Sequence, residues 1–242
     1  MFDNFPKKRI ELPDRYKAIY SDYYKKNREG HTAAASVSQK LEAWLHKKVA
    51  ADVVSVENKS TLEIGAGTLN QLKHEKTKPY DIIEPFKSLF TDSPYLGHIR
   101  NVYNDIDEVE LKARYDRITA VATFEHVVDL PKVVAKSCLL LQTNGSLRVA
   151  IPNEGTFLWG FCWRMSTGLE FELKHGLDFK VLMKHEHVNT AAEIENILQY
   201  FYKKLKCSVF GINKQIALYR FYECTGPQIE LAEKYLQTLP KT

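Results

Sequence analysis

In the run TLEIGAGTLN, Thr61 to Asn70, a carboxylate at Glu63 stands two residues before the pair Gly65 and Gly67. Glycines at that spacing let backbone N–H groups close on a small ligand. A dinucleotide site would need G-x-G-x-x-G, and its third glycine position holds Asn70. Charge points the same way, because a carboxylate at a strand end repels a pyrophosphate and favours a ligand that carries an ammonium or a sulfonium. About twenty residues on, Glu84 can accept from both hydroxyls of a ribose. In NDID, Asp105 can accept from an adenine amino group, with Asp107 competing for the role. Three acids around one glycine turn predict a cationic nucleoside.

Such residues need a frame that sets them on one edge. From residue 60 onward short β-like runs alternate with helical ones: TLEIG, YDIIEPF, GHIRNVYND, YDRITAVATF and, after a helix over 130–141, GSLRVAIPN. This alternation implies an α/β domain of βαβ units, a mostly parallel sheet and helices on both faces. Ligands of such sheets sit at the carboxyl ends of the strands, where the strand order reverses. Two last runs, KCSVFGIN and ALYRFYEC, are close enough to form a C-terminal β-hairpin, and Thr190 with Glu193 predicts a capping box. The aromatic stretch over 154–188 reads as a helical insert after the fifth strand that covers the sheet edge. Ahead of the sheet, Leu41, Trp44, Leu45 and Val49 mark one apolar face of a helix. The expected division is an N-terminal helical lead-in or lid over 1–54, with a break at Gly30, and a domain over 55–242.

The ordered series E-x-G-x-G, Glu84 closing the second strand, Asp105 after the third, YDRITAVATFEHV and GSLRVAIPNEG resembles the class I S-adenosylmethionine-dependent methyltransferases over residues 55–225. FEHVVDL, IPNEG and HEHVNT are similar to the branch that acts on small molecules, sugars and saccharide precursors. The resemblance implies a Rossmann-like, doubly wound, seven-stranded sheet and S-adenosyl-L-methionine as cofactor. It places Glu63, Gly65, Gly67 and Asn70 around the methionine part, Glu84 on the ribose, and Asp105 and Ile106 at the adenine.

Methyl transfer from a sulfonium asks the protein mainly for positioning and exclusion of water. A hydroxyl acceptor also needs a general base, and His126, after the fourth strand, is the candidate. Read as an extended segment, HEHVNT puts His185 and His187 on one side, and with Glu125 and His126 they would form a mixed N/O metal set. A similarity to metal-assisted RNA-terminal methyltransferases stops at Ala122, where their pattern has a second glutamate. No metal is therefore expected, and His185 and His187 are read as acceptor contacts. In FLWGFCWRM, Trp159, Trp163 and Arg164 offer aromatic faces and a guanidinium to an acceptor. REGHTAAASVSQ reads as a lid, with Arg28 or His31 near the carboxylate of the cofactor.

Composition narrows the partners. A net charge of +4 over 242 residues, with basic residues only in small clusters, argues against nucleic acid as the main ligand. So does the lack of an N/D-P-P-Y/F motif where the chain reads TFEHV. Cys138, Cys162, Cys207 and Cys224 form no C-x-x-C pair, which suits reduced thiols in the cytoplasm. No apolar run is long enough for a membrane span. The expected partner is a small-molecule or saccharide acceptor. The alternatives are a nucleotide-cofactor oxidoreductase and a methyltransferase-like module that binds without turnover.

Overall fold

A computed structural model describes residues 2–20, 35–56 and 58–240, leaving aside the side chains of 35–41. The lid expected over 28–39, with Arg28, Gly30 and His31, falls outside the described residues save for the helical backbone of 35–39. The elements are α1 (Ala35–Ala50), β1 (Asn58–Ile64), β2 (Lys78–Ile83), β3 (Ile99–Tyr103), β4 (Tyr115–Val121), α2 (Leu130–Leu140) and β5 (Leu141–Pro152). There follow α3 (Phe157–Trp163), α4 (Leu169–His175), α5 (Phe179–Glu186), α6 (Ala191–Phe201), β6 (Tyr202–Gly211), β7 (Ala217–Pro227) and α7 (Ile229–Gln237). A π-helical turn, Arg164–Gly168, joins α3 to α4, so the insert after β5 is helical as expected.

The seven strands among the described residues form one sheet in the order β3-β2-β1-β4-β5-β7-β6. The β1–β2, β2–β3, β1–β4 and β4–β5 pairs are parallel, and β7 pairs antiparallel with both β5 and β6. Strand order reverses between β1 and β4, which makes their carboxyl ends the place for a ligand. One expectation fails: the glycine turn after β1 leads into a single 3-10 turn, Asn70–Lys73, rather than a helix. The links that follow β2 and β3 likewise hold 3-10 turns, Lys87–Leu89, Leu96–His98 and Ile106–Glu108.

Period two along the strands divides the sheet into two unlike faces. Leu62, Ile64, Ile118, Ala120, Leu147 and Val149 pack with residues of α2 and α6 in the main core. On the opposite side, Thr61 lies in register with Tyr80 and Arg117, and Thr119 with Glu63 and Arg148. This polar stripe lies under the end of α1. Arg117, fully buried, donates to Glu75 (2.8 Å), to the carbonyl of Val49 (3.0 Å) and to Thr61 (3.3 Å), and lies 3.3 Å from Asp52. Arg148 donates to the carbonyls of Val49 (2.8 Å) and Lys48 (2.9 Å). Helix ends leave their last carbonyls without intrahelical partners, and two sheet arginines supply them here. The α1 residues Leu45 and Val49 close over Ala150 and Phe221.

The N-terminus is an extended strap before it becomes helical at 14–20. Phe2 and Phe5 pack on the main core, and Leu12 and Tyr16 pack against Phe171, Phe179 and Leu182 of the insert. Among the described residues no helix is long and apolar enough to cross a membrane.

Removing one partner of a buried ion pair strands the other. Arg117→Ala is therefore expected to lower the unfolding free energy by about 3–5 kcal/mol in urea titrations. Lys112→Ala, at the exposed pair with Glu110, is expected to change it by less than about 1 kcal/mol. Equal effects would show that the buried network does not hold the sheet.

Candidate active site

The carboxyl ends of β1, β2, β4 and β5 carry the residues singled out by their chemistry. At the end of β1, Gly65 (φ 70°) and Gly67 (φ 52°) adopt left-handed backbone, as does Leu69 (φ 64°). A Cβ on Gly65 would lie 2.4 Å from the Thr123 methyl, so the two turns beside the switch point touch and only glycine fits. Glu84, 3% exposed, binds the turn directly: its carboxylate accepts from Gly67 N–H at 2.8 Å and from Phe86 N–H at 3.0 Å. A carboxylate has about four acceptor positions, so capacity remains for a ligand hydroxyl.

The other acids are placed less simply. Glu63, 2% exposed, accepts from Tyr80 Oη at 2.9 Å and belongs to the polar stripe under α1. Burial pushes its pKa up to about 8, with Glu75 and Glu84 adding to the rise against the Tyr80 hydrogen bond and Arg117. The electrostatic case against a pyrophosphate therefore passes from Glu63 to Glu84. Asp105 is exposed and caps the 3-10 turn, one oxygen accepting from Asp107 N–H at 2.8 Å. Asp107 itself is taken up by Lys132 and Lys136. The Ile106 side chain is buried in the main core. Asn70 is half-buried at the start of its 3-10 turn.

Across the switch point, β4 is followed by Ala122, a non-glycine residue at φ 48°. The turn that follows carries Glu125 (1% exposed) and His126. His126 Nε2 is 3.8 Å from Glu125 Oε1, and its Nδ1 is 3.0 Å from the carbonyl of Glu186 and 3.4 Å from that residue's carboxylate. His187 packs edge to face on His126, ring centroids 4.8 Å apart. Its Nδ1 lies 2.7 Å from Glu154 Oε2, and Glu154 also accepts from Trp159 Nε1 at 2.7 Å. Burial would lower the His187 pKa, but the Glu154 hydrogen bond and the charges of Glu125, Glu154 and Glu186 outweigh it and raise the value. For Glu154 burial acts upward, while His187, Trp159 and the Gly155 N–H outweigh it and hold the carboxyl low. Burial raises the Glu186 pKa against Arg9 and His187.

His185 does not join this group. The segment is the last turn of α5 rather than a strand, so the two histidines point apart. His185 Nδ1 meets the carbonyl of Ile10 at 2.6 Å, and its ring lies edge to face on Tyr20. Trp163 packs within the insert, against Phe179 at 5.8 Å, and the exposed Arg164 guanidinium stacks on its face at 4.8 Å. Both belong to the packing of the insert.

Several residues that build the site carry no local signature. Val188 and Asn189 N–H groups bond the carbonyl of Glu125 at 2.8 and 3.1 Å, and the Asn189 side chain donates to the carbonyls of Phe124 and Val127. Arg9 donates to the carbonyls of His126, His185 and Glu186, and Lys7 to that of Val188. Glu154 stands in IPNEG, where the motif was visible but its bond to His187 was not.

No protein-family model matches the sequence, and no curated protein matches it. Solved structures do. The chain is similar to a SAM-dependent methyltransferase from Thermotoga maritima, described as a possible histamine N-methyltransferase, with TM-score 0.56 and 15% identity over 87% of this chain and 97% of that one. It is similar to the plantazolicin methyltransferase BpumL, in complex with a desmethylplantazolicin analogue and SAH, with TM-score 0.58 and 15% identity over 88% and 91% of the two chains. A third likeness, to an O-methyltransferase family protein from Burkholderia thailandensis, has TM-score 0.54 and 10% identity over 91% and 64%. At these identities what is shared is the fold, that of the class I S-adenosylmethionine-dependent methyltransferases.

Glu63 gives a pH-dependent expectation. Its folded pKa of about 8 exceeds the ordinary 4.5, so over that window the folded chain keeps a proton that the unfolded chain has released. Unfolding free energy then falls as pH rises, and levels off above about 8. Glu63→Gln lacks this fall, so urea titrations from pH 5 to pH 8 should show the variant gaining on wild type by roughly 1 kcal/mol or more. A constant difference would place an ionised carboxylate at Glu63 throughout.

Proposed function

We propose that this chain is a methyltransferase that uses S-adenosyl-L-methionine and methylates a small-molecule or saccharide acceptor at oxygen. The observation that carries the reading is the buried Glu84 carboxylate bonded to Gly67 N–H at the switch point. There a nucleoside could lay its ribose on Glu84 and its amino-acid part on the turn. Gly65, Gly67 and Asn70 are assigned to the methionine part, Glu84 to the ribose, and Asp105 and Ile106 to the adenine end. Glu63 is assigned to supporting the strand end. When bound, the cofactor supplies an electrophilic methyl group on a sulfonium.

The residues after β4 and α5 form the acceptor side in this reading. His126 takes up the proton of the acceptor hydroxyl, and His187, held by Glu154, contacts the acceptor. The chain is divided in this reading into an N-terminal lead-in over 1–54 and a domain over 55–242, a division supported by Lys7 and Arg9 of the lead-in reaching the loops of the site. A small acceptor suits the modest net charge of +4, and BpumL, whose fold the chain shares, holds a pentazolic desmethylplantazolicin analogue together with SAH in its solved complex.

A thermal shift tests the cofactor. Ligand at about 100 times its Kd adds roughly 2.7 kcal/mol, and a chain of this size moves its Tm by about 2–4 °C per kcal/mol. S-adenosylhomocysteine should therefore raise Tm by roughly 5–10 °C, with no rise for NAD and none in Glu84→Ala. A rise with NAD alone would replace the reading by an oxidoreductase. Silence from both ligands would replace it by an interaction module.

A further inference from the structure

We infer that Glu125, His126 and His187 form a binding site for a divalent transition-metal ion. One ligand atom from each of the three lies within 4.8 Å of the others. Metal–ligand bonds of about 2.0–2.2 Å at tetrahedral angles set ligand atoms about 3.3–3.6 Å apart, so side-chain movements of about 1 Å close the site. The set differs from the one the sequence suggested, because His185 has left it and only two imidazoles remain.

The orientation of those imidazoles carries the inference. A metal-binding histidine nearly always gives its other ring N–H to a carboxylate or a backbone carbonyl. His126 Nδ1 lies 3.0 Å from the Glu186 carbonyl, and His187 Nδ1 lies 2.7 Å from the Glu154 carboxylate. Both rings therefore have Nε2 as the ligand nitrogen, and that of His126 faces Glu125 at 3.8 Å. Glu154 is itself fixed by Trp159 Nε1 and by the N–H of Gly155. Backbone bonds from Val188 and Asn189 to the Glu125 carbonyl clamp together the two segments that supply the ligands.

Two nitrogens and one carboxylate suit manganese, iron, cobalt or zinc better than calcium or magnesium, which favour all-oxygen shells. Three protein ligands leave positions open for water and for an acceptor oxygen. Binding of the ion stands on the triad alone. Its use in methyl transfer rests on the function proposed above and, with the ion bound, replaces the proton-accepting part given there to His126. An acceptor hydroxyl on the ion releases its proton to water more readily than it does unbound, while the imidazole serves as ligand.

The full chain, stripped with EDTA and dialysed, is titrated with MnCl2 followed by electron paramagnetic resonance and with CoCl2 followed by visible absorption. The expected result is one equivalent of each ion bound, with cobalt bands of a nitrogen-containing shell. Glu154→Gln should weaken binding by about 10–100-fold, and His187→Ala should abolish it. Thermal melts of both variants with S-adenosylhomocysteine report that they are folded. Absence of stoichiometric binding by the wild type, or equal binding by both variants, overturns the inference. Binding of the ions without a shift from S-adenosylhomocysteine sustains the metal site and overturns the methyltransferase reading instead.

Discussion

A guanidinium buried on the face of a parallel sheet cannot stand without partners, and Arg117 is such a group. Desolvating its charge costs several kcal/mol unless opposite charge and hydrogen-bond acceptors are close at hand. Glu75, from the connection after β1, and Asp52 and the carbonyl of Val49, from the end of α1 and the turn beyond it, meet that demand. One residue thereby fixes where α1 ends, where the chain turns back at Asp52, and how the connection after β1 lies against the sheet. Lys59 pairs with Asp52 at 3.0 Å, which extends the tie to the start of β1. With β1 and β4 locked from below, their carboxyl ends meet closely enough for Gly65 to touch Thr123.

The loops after β4 and α5 depend on a second kind of constraint, made mostly of backbone. The Glu125 carbonyl, the Asn189 amide and the guanidinium of Arg9 bring together stretches more than a hundred residues apart in sequence for the strap, and about half that for the loops. The clamp thus sets where the segments of His126 and His187 lie, and the ring contacts to Glu186 and Glu154 set how the imidazoles are turned. Preorganisation of this sort is what a site needs if it is to bind without rearranging.

Much of this was legible where the determining forces are local. The period-two strands, the final hairpin and the Thr190–Glu193 capping box are short-range patterns, and each appears in the structure. The turn residues Gly65 and Gly67 and the acid at Glu84 fall together because strand order follows from βαβ alternation. Glu63 went astray because alternation fixes which face a residue takes but not which buried partner, here Tyr80, will claim it. The expectation that His185 and His187 share one side rests on a strand period, and the segment is the end of a helix. Asp105 came out as a cap, the commonest local use of that residue type. The strap contacts of Lys7 and Arg9 had no signal at all, since a lone basic residue does not reveal a carbonyl far along the chain. The helix α7 was missed although IELAEKYLQ has helical spacing.

Strain explains why the chemistry collects at this edge. Leu69 and Ala122 hold left-handed backbone without being glycine, a conformation that costs each on the order of 1–2 kcal/mol. Leu69 can bear it because its side chain is fully buried with Leu72, Tyr80 and Ile82. Ala122 can bear it because β4 is hydrogen-bonded on both sides, to β1 and to β5. The bends this strain maintains turn the chain sharply out of the sheet at two neighbouring strands. One bend presents the Gly67 N–H to Glu84, and the other delivers Glu125 and His126 into contact with His187. A relaxed residue at either position would let the strand run on, and the acids and imidazoles would no longer share one rim.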